Sequence, residues 1–365
     1  MSLHTDWEIS TKHKLTYGYQ FSTNNVLFQS EIYESSTPVT NELTKLVSDN
    51  ITHALYNEYK FKLNKKTKVN LGLRANYFSI IDKLYLEPRI NTEFKIKNYL
   101  KARISVEYKN QVVSQVFSSL SNFFDLDNRV WLLSNSEDNV LKSKQLTSGL
   151  LYNKNNWNIH LEAYYKKTKG NTYIESRSRE IESFEYRNGE SETLGIDLLV
   201  KKRIGQYRTW ISYSFTNQDL IFDSLNNGEP FPNNFDITHY ASWVHTYLLG
   251  NFEFSLGWNI RTGRPFTPAY PDDTAIGING DINSKRLDTY HRMDFSTAYN
   301  FVFSKDKKWR SKVSFSLFNL YDRKNIIRKR FVLQPTNFSS TERVLKEVNT
   351  LTSRITPNIS YRINF

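Results

Sequence analysis

Histidine is the residue type in this sequence that most readily holds a metal ion, but its spacing argues against that use. The closest pair, His239 and His245, would share one face of a strand. They would lie about 20 Å apart at ~3.3 Å per residue, too far for one ion. His291 begins the segment His-Arg-Met-Asp, which is similar to a kinase catalytic loop. The sequence lacks the downstream Asn and the Gly-rich loop that accompany this motif in kinases. The remaining histidines are scattered: His4, His13, His53 and His160.

An acidic loop is the other candidate for an ion site. Its oxygen-bearing side chains follow Pro271 and are Asp272, Asp273, Asn279 and Asp281. They could hold calcium, but no EF-hand register fits, so a solvated loop is favoured. Cysteine is absent, which excludes thiolate zinc sites and cysteine nucleophiles. Nucleophile-elbow, Walker and dinucleotide-binding motifs are also missing. The sequence therefore predicts no catalytic residue, no metal, no cofactor and no enzyme.

The elements that would position polar side chains are strands with strict alternation. In residues 252–261, apolar Phe252 and Trp258 alternate with polar Glu253 and Asn259. Residues 290–303 show the same pattern, and residues 354–365 alternate up to the terminal aromatic residue. Side chains of a strand point to alternate faces, so each strand has one apolar and one polar face. Charges at every second position could not face lipid, so they would line a wet interior.

About fourteen such runs follow one another, and most have the ~9–11 residues that a tilted strand needs to cross a bilayer. They cover residues 7–21, 53–63, 66–78, 84–96, 99–109, 143–152, 157–168, 193–203, 206–216, 236–249, 252–261, 290–303, 309–321 and 354–365. Short turns alternate with long polar loops near residues 22–52, 110–142, 169–192, 217–235, 262–289 and 322–353. This alternation is typical of bacterial outer-membrane barrels. An even strand count would place both chain ends on the short-turn side.

Composition supports the same fold class. Aromatic residues make up 15% of the 365 residues, which is unusual for so polar a chain, but a barrel with aromatic girdles and a polar interior needs both. No stretch approaches the roughly 18 consecutive apolar residues of a membrane helix. The sequence therefore predicts an all-β protein, an antiparallel transmembrane β-barrel.

The net charge of +12 could indicate nucleic acid or an anionic membrane surface as a partner. Much of the excess stands beside short turns, as at Lys201, Lys202 and Arg203, which suits lipid headgroups at one rim. A loop near the chain end carries the strongest basic cluster, formed by Arg323, Lys324, Arg328, Lys329 and Arg330. It could bind lipopolysaccharide phosphates or an anionic ligand, or it could be a solvated charged loop.

Several segments, in order, resemble the barrel of TonB-dependent outer-membrane receptors, especially the kind common in Bacteroidetes. They are Glu87-Pro88-Arg89, residues 160–167 (HLEAYYKK), 209–214 (TWISYS), 262–268 (TGRPFTP), 290–294 (YHRMD), 318–325 (FNLYDRKN) and 357–365 (PNISYRINF). The resemblance implies a 22-stranded barrel with a plug. Residues 1–365 would be a single barrel region, the C-terminal part of such a receptor. We expect no plug and no signal peptide within this sequence.

The resemblance further implies a transport receptor in the cell outer membrane that imports a scarce nutrient of the siderophore, cobalamin or oligosaccharide class. TonB would act only through N-terminal parts outside this sequence. Expected partners are outer-membrane lipid, lipopolysaccharide, the barrel-assembly machinery and a small nutrient, with no nucleic acid. Lumen-lining candidates are Glu253, Asn259, Arg261, Asp294 and Asn300, and the assembly strand would present Tyr361, Ile363 and Phe365.

Two alternatives stay open at this point. One is a self-contained passive outer-membrane channel of about fourteen strands. The other is a soluble basic β-protein that binds nucleic acid through lysine and tyrosine. A second protein layer over the apolar rows of residues 252–260 and 293–303 would overturn the receptor interpretation.

Overall fold

The computed structural model describes residues 1–34, 39–118, 130–176, 184–270, 278–302, 310–335 and 343–364. Its strands are β1 (Ser2–Ser10), β2 (His13–Glu34), β3 (Val39–Lys62), β4 (Thr67–Phe78), β5 (Lys83–Lys97), β6 (Leu100–Gln111), β7 (Val113–Ser118), β8 (Val130–Leu133), β9 (Leu141–Lys154), β10 (Trp157–Ser176), β11 (Phe184–Ile204), β12 (Tyr207–Ile221), β13 (Phe231–Pro232), β14 (His239–Leu249), β15 (Phe252–Arg261), β16 (Pro265–Phe266), β17 (Ala269–Tyr270), β18 (Ile278–Asn279), β19 (Lys285–Arg286), β20 (Tyr290–Val302), β21 (Arg310–Phe318), β22 (Ile326–Pro335), β23 (Arg343–Leu351) and β24 (Thr356–Asn364). Two short 3-10 helices cover Glu137–Asn139 and Asn226–Gly228. Among the described residues, no helix combines the length and hydropathy needed to cross a membrane.

The long strands form one antiparallel meander, which confirms the predicted fold class. Each strand pairs with the next in the order β1, β2, β3, β4, β5, β6, β9, β10, β11, β12, β14, β15, β20, β21 and β24. Within the described residues, β1 pairs only with β2 in this sheet, and β24 pairs only with β21. The sheet is therefore open at these two edges.

The first predicted run, residues 7–21, is two strands. The chain turns at Thr11 and Lys12, and Trp7 of β1 lies opposite Leu15 of β2. Both residues are on the apolar face, so a two-residue turn leaves the alternation intact and the pattern does not reveal it. The meander thus has fifteen strands instead of about fourteen. β1 and β24 both run toward the edge of the sheet that carries the short turns, which we call the short-turn end. The first residues of β1 therefore lie at the opposite, long-loop end, and the prediction that both chain ends lie at the short-turn end was wrong.

Three of the predicted long loops are largely hairpins. β2 and β3 extend into the segment 22–52, and β10 and β11 extend into the segment 169–192. In the segment 322–353, β22 pairs with β23 in a separate two-stranded sheet. The polar alternation simply continues beyond the apolar band in these segments, so strands that leave a bilayer resemble loops in sequence.

One face of the meander is apolar and has no protein layer over it in the described part of the chain. A continuous row of directly opposed residues crosses β4, β5, β6, β9, β10 and β11: Leu71, Ile90, Val106, Leu146, Tyr165 and Leu194. All six are exposed, as are Phe252 and Tyr299, at 44% and 39%. So extended an exposed apolar surface is not tolerated in water, whereas it suits lipid.

The other, polar face carries ion pairs between neighbouring strands. Lys14 of β2 contacts Asp6 of β1 at 2.8 Å, and Lys101 of β6 contacts Glu93 of β5 at 2.9 Å. Residues on this face thus satisfy one another across the sheet. The small buried hydrophobic groups lie at the long-loop end instead, where Leu220, Phe222 and Phe231 pack together.

Candidate functional site at the long-loop end

Five histidines on the apolar face each hydrogen-bond a tyrosine of a neighbouring strand or adjacent turn. The pairs are His13 with Tyr59 (2.6 Å), His53 with Tyr19 (2.7 Å), His245 with Tyr207 (2.5 Å), His239 with Tyr213 (2.9 Å) and His291 with Tyr321 (2.6 Å). On β2–β3 and again on β12–β14, two pairs stand six residues apart along the strands. Rings with a polar tip suit the two surfaces of a membrane. These five histidines are therefore paired with tyrosines near the two ends of the strands, as an interfacial belt would require.

Three residues, which we call the rim tie, join the long-loop ends of β20, β21 and β24: Asn319, Asp322 and Asn325. Asn319 is 1% exposed and has φ +55°, and its amide group donates to the carbonyls of Arg323 (2.9 Å) and Ser353 (3.2 Å). Asn325 donates to the carbonyl of His291 at 2.9 Å. The segment 318–325 is therefore a structural connector between strands.

The Asp322 carboxylate completes the rim tie by accepting from Arg354 Nε at 2.7 Å and from the backbone N–H of Ile355 at 2.9 Å. The Arg354 hydrogen bond, followed by the Ile355 N–H, lowers the pKa of Asp322 to about 2. Asp322 lies beyond the end of β21, outside the spanning strands. A carboxyl with a depressed folded-state pKa stabilises the fold above its unfolded pKa, and this contribution is lost as the pH falls through the folded value.

This sign gives a prediction for acid stability. The wild type should unfold at a higher temperature than Asp322→Asn. This difference should have its full size above about pH 5 and should shrink as the pH approaches 2. Thermal unfolding scans of both proteins from pH 7 to pH 2 measure it. A difference that stays constant over this range would show that the carboxylate charge does not contribute.

A second group, which we call the loop anchor, joins two long loops: Asp236, Asn283 and Arg286. Asp236 is 2% exposed and forms an ion pair with Arg286. Arg286 Nη1 also donates to the carbonyls of Asp236 (3.1 Å) and Gly263 (3.2 Å). Asn283 donates to the carbonyl of Pro232 at 2.8 Å. The described parts of the loops that follow β12 and β15 are thereby linked by an ion pair between the buried Asp236 carboxylate and a partly exposed Arg286.

Cations over aromatic rings crowd the same end of the sheet, in what we call the loop-end cluster: Phe235, Arg264, Phe266, Lys329 and Phe331. Arg264 lies 5.3 Å from the Phe235 ring centre, and Lys329 lies 5.3 Å from that of Phe266. Phe266 stacks on Phe331 at 6.4 Å. Three loops contribute to this cluster, which pairs positive charge with flat apolar surface.

The five lumen-lining candidates all lie on the polar face. Glu253 contacts Lys312 of β21 at 3.0 Å, and Asn259 accepts from Tyr240 Oη at 3.1 Å. Arg261 lies over the Tyr290 ring at 4.6 Å.

The other two candidates also have partners. Asp294 pairs with Arg292 at 2.8 Å and accepts from the N–H of Asn319 at 2.9 Å. Asn300 Nδ2 donates to the Asn251 carbonyl at 3.4 Å. These residues therefore form contacts with neighbouring strands and turns rather than one constellation.

Among the described residues there is no group of three or more potential metal ligands. Asp272 and Asp273 of the acidic loop lie outside the described residues, so the predicted solvated loop stays a prediction.

The sequence comparison decides the family. Residues 1–320 match the family described as TonB dependent receptor-like, beta-barrel. The chain belongs to this receptor family. Its predicted relationship is thereby confirmed, and so is its location in the cell outer membrane.

Solved structures of such receptors share the fold. The unliganded ferric citrate transporter FecA gives a TM-score of 0.65 at 12% identity, covering 99% of this chain and 53% of its own. The ferric yersiniabactin uptake receptor FyuA from Yersinia pestis gives 0.69 at 15% identity, covering 100% and 53%. The copper transporter OprC gives 0.62 at 13% identity, covering 89% and 51%. The chain thus spans about half the length of these receptors. No curated protein sequence matches it.

In this receptor barrel the predicted basic cluster is divided. Arg323 donates to the Thr289 carbonyl at 3.1 Å within the turn that also holds Lys324. On β22, Lys329 points to the opposite face from Arg328 and Arg330 and forms an ion pair with Glu347 at 2.9 Å. The five cations therefore do not form one surface, and only Lys329 belongs to the loop-end cluster.

Strand β24 presents Tyr361 and Ile363 on the apolar face, where both are exposed. Tyr361 Oη also contacts the Ser311 hydroxyl at 3.3 Å. Phe365 lies outside the described residues. The predicted assembly role of these three residues stays a prediction.

Proposed function

We propose that this chain is part of the barrel wall of an importer, and that the loop-end cluster contacts an anionic nutrient of the siderophore class. In bacterial barrels the long loops face outward and the short turns face the periplasm, so the cluster would meet incoming solute. TonB and a plug would act through parts of the receptor outside this sequence.

The observation that carries the substrate class is the pairing of positive charge with rings in the loop-end cluster. Arg264 and Lys329 lie over aromatic faces, and Lys329 also pairs with Glu347. The Arg264 guanidinium suits carboxylates and similar planar anions. A ferric chelate with carboxylate or catecholate groups matches this chemistry better than an uncharged oligosaccharide. FecA and FyuA are named as receptors of ferric chelates, which supports the same class.

Further proposals follow from the barrel itself. The apolar face would contact lipid, and the rim cations would contact lipid headgroups or lipopolysaccharide. Glu253, Asn259, Arg261, Asp294 and Asn300 would line the lumen, where they meet plug or water. Tyr361, Ile363 and Phe365 would be the contact for the barrel-assembly machinery.

Two features argue against the alternatives. A passive channel built from this chain would need β1 to pair with β24, but in the described sheet β1 pairs only with β2 and β24 pairs only with β21. A soluble nucleic-acid-binding protein would not leave the row from Leu71 to Leu194 exposed to water.

Ligand binding to the receptor isolated in detergent tests the proposal. We expect a ferric tris-catecholate chelate or ferric citrate to bind. Neither maltoheptaose nor cyanocobalamin should bind. The double variant Arg264→Gln, Lys329→Gln should weaken chelate binding about tenfold or more, because bonds to charged groups are lost.

The matched control removes the same charge from exposed positions, with Lys324→Gln and Lys346→Gln. It should bind like the wild type. Binding of the oligosaccharide alone, or chelate binding that the first double variant leaves unchanged, would contradict the proposal.

A further inference from the structure

A cavity of about 570 Å³ lies at the opposite, short-turn end of the sheet, between β11 and β12. Its lining includes Lys201, Arg203, Arg208 and Trp210, which we call the basic pocket. The β11 residues Lys201 and Arg203 alternate with Val200 and Lys202, whose side chains point to the apolar face. The pocket therefore opens on the polar face of the barrel wall.

The register brings like charges together in this pocket. Arg203 lies directly opposite Arg208, and Lys201 lies directly opposite Trp210. Like charges in directly opposed positions destabilise a sheet. An anion bound between these exposed arginines would offset their repulsion.

Carboxylates do not supply that compensation within the described chain. Elsewhere on the polar face, cations such as Lys14, Lys101 and Lys312 contact an acidic side chain within 3.0 Å. By contrast, the described residues offer no acidic partner within 4.0 Å of Lys201, Arg203 or Arg208. The contact of Arg203 Nε is the carbonyl of Gly205 at 3.3 Å.

The size of the cavity and the residues that line it limit the kind of ligand that it can hold. Its volume lies in the range of about 300–1,000 Å³ that is usual for small-molecule sites. The half-buried Trp210 ring and Leu199 form an apolar wall, and the three cations lie around it. An acidic peptide side chain would use the cations but would not need this wall.

We propose that the basic pocket binds a small organic anion, one that carries a carboxylate or phosphate on a flat apolar body. The pocket is distinct from the loop-end cluster. Arg208 lies at the short-turn end of β12 and Gln218 lies near its long-loop end. These two residues are separated by about 33 Å at ~3.3 Å per residue. The proposal concerns the periplasmic mouth of the wall and does not depend on which nutrient binds outside.

Tryptophan fluorescence of the isolated receptor provides the test, with nitro-aromatic probes that quench an adjacent indole. 4-Nitrobenzoate and 4-nitrophenyl phosphate should bind, and uncharged 4-nitrobenzyl alcohol should not. Binding should weaken as the salt concentration rises, because exposed charges are screened. Trp210→Phe should remove most of the quenching while equilibrium dialysis still detects the bound probe.

The decisive variant is Arg203→Gln with Arg208→Gln, for which we expect probe affinity to fall about tenfold or more. Its unfolding temperature should equal or exceed that of the wild type, because a repulsion is removed. The matched control, Lys65→Gln with Lys66→Gln, removes the same charge at another short turn and should leave affinity unchanged.

Three results would overturn the proposal. The first is equal probe affinity for the wild type and the arginine double variant. The second is equal binding of the uncharged alcohol. The third is binding of hexaglutamate without binding of either small probe, which would assign the pocket to an acidic segment of polypeptide.

Discussion

Replacing Arg286 by Met is expected to destabilise the packed loops after β12 and β15 by about 3 kcal/mol, the lower end of the usual cost of leaving a buried charge without its partner, because Asp236 is buried but 35% of the Arg286 side chain is exposed. Asp236 is 2% exposed, and Arg286 is the cation that contacts its carboxylate. The N–H of Gln218 also donates to Asp236 at 3.2 Å, and the N–H of Leu287 donates to the Arg264 carbonyl at 2.9 Å. Hydrogen exchange at these two amides should therefore accelerate strongly.

The neighbouring Lys285 provides the control for this experiment. It is exposed and lies 5.4 Å from the Tyr270 ring centre, so Lys285→Met should change the opening free energy by no more than about 1 kcal/mol. Equal exchange rates in Arg286→Met and the wild type would show that the ion pair does not hold the loops together.

The second large effect is expected at Asn319, where Ala should reduce the free energy of unfolding by about 3 kcal/mol. Loss of the amide leaves buried partners at Arg323 and Ser353, at a cost of about 1–3 kcal/mol. The left-handed backbone, with φ +55°, is tolerated by Asn better than by Ala and adds up to about 1 kcal/mol. Urea unfolding of the receptor in micelles measures the change.

Glycine at the same position separates the two contributions. Asn319→Gly loses the same hydrogen bonds but accepts the positive φ without strain, so it should be more stable than Asn319→Ala. If the two variants are equally stable, the backbone contribution is absent. If neither is less stable than the wild type, the rim tie does not stabilise the barrel.

Much of the fold could be predicted from the sequence because each strand carries its own alternation. The row containing Phe252 and Trp258 is exposed on the apolar face as expected, and the chain turns at Gly205 and Gln206, where the predicted runs 193–203 and 206–216 meet. The segment 318–325 was one of seven that together predicted the family, although its role as a connector needed coordinates. The particular kinship with Bacteroidetes receptors stays a prediction from sequence.

Other features depend on how strands pair, and no single strand encodes this. The turn at Thr11 and Lys12 preserves the alternation and so was missed. The basic residues beside β11 suggested a lipid-facing rim, but they divide between the faces, with Lys201 and Arg203 on the polar side. The histidine–tyrosine pairs join residues up to 46 positions apart, and their only sequence signal is the shared six-residue spacing.

The loop anchor has a consequence for how the mouth of the barrel can move. Because Arg286 pairs with the buried Asp236 carboxylate, the described parts of the loops after β12 and β15 are expected to move together. The hairpin β22–β23 meets that body through ring stacking and the hydrogen bond from Arg264 to the Ile327 carbonyl at 2.9 Å. Displacement of the described part of the hairpin would break this hydrogen bond and the ring stacking, whereas separation of the two loops would break the ion pair of Asp236 with Arg286.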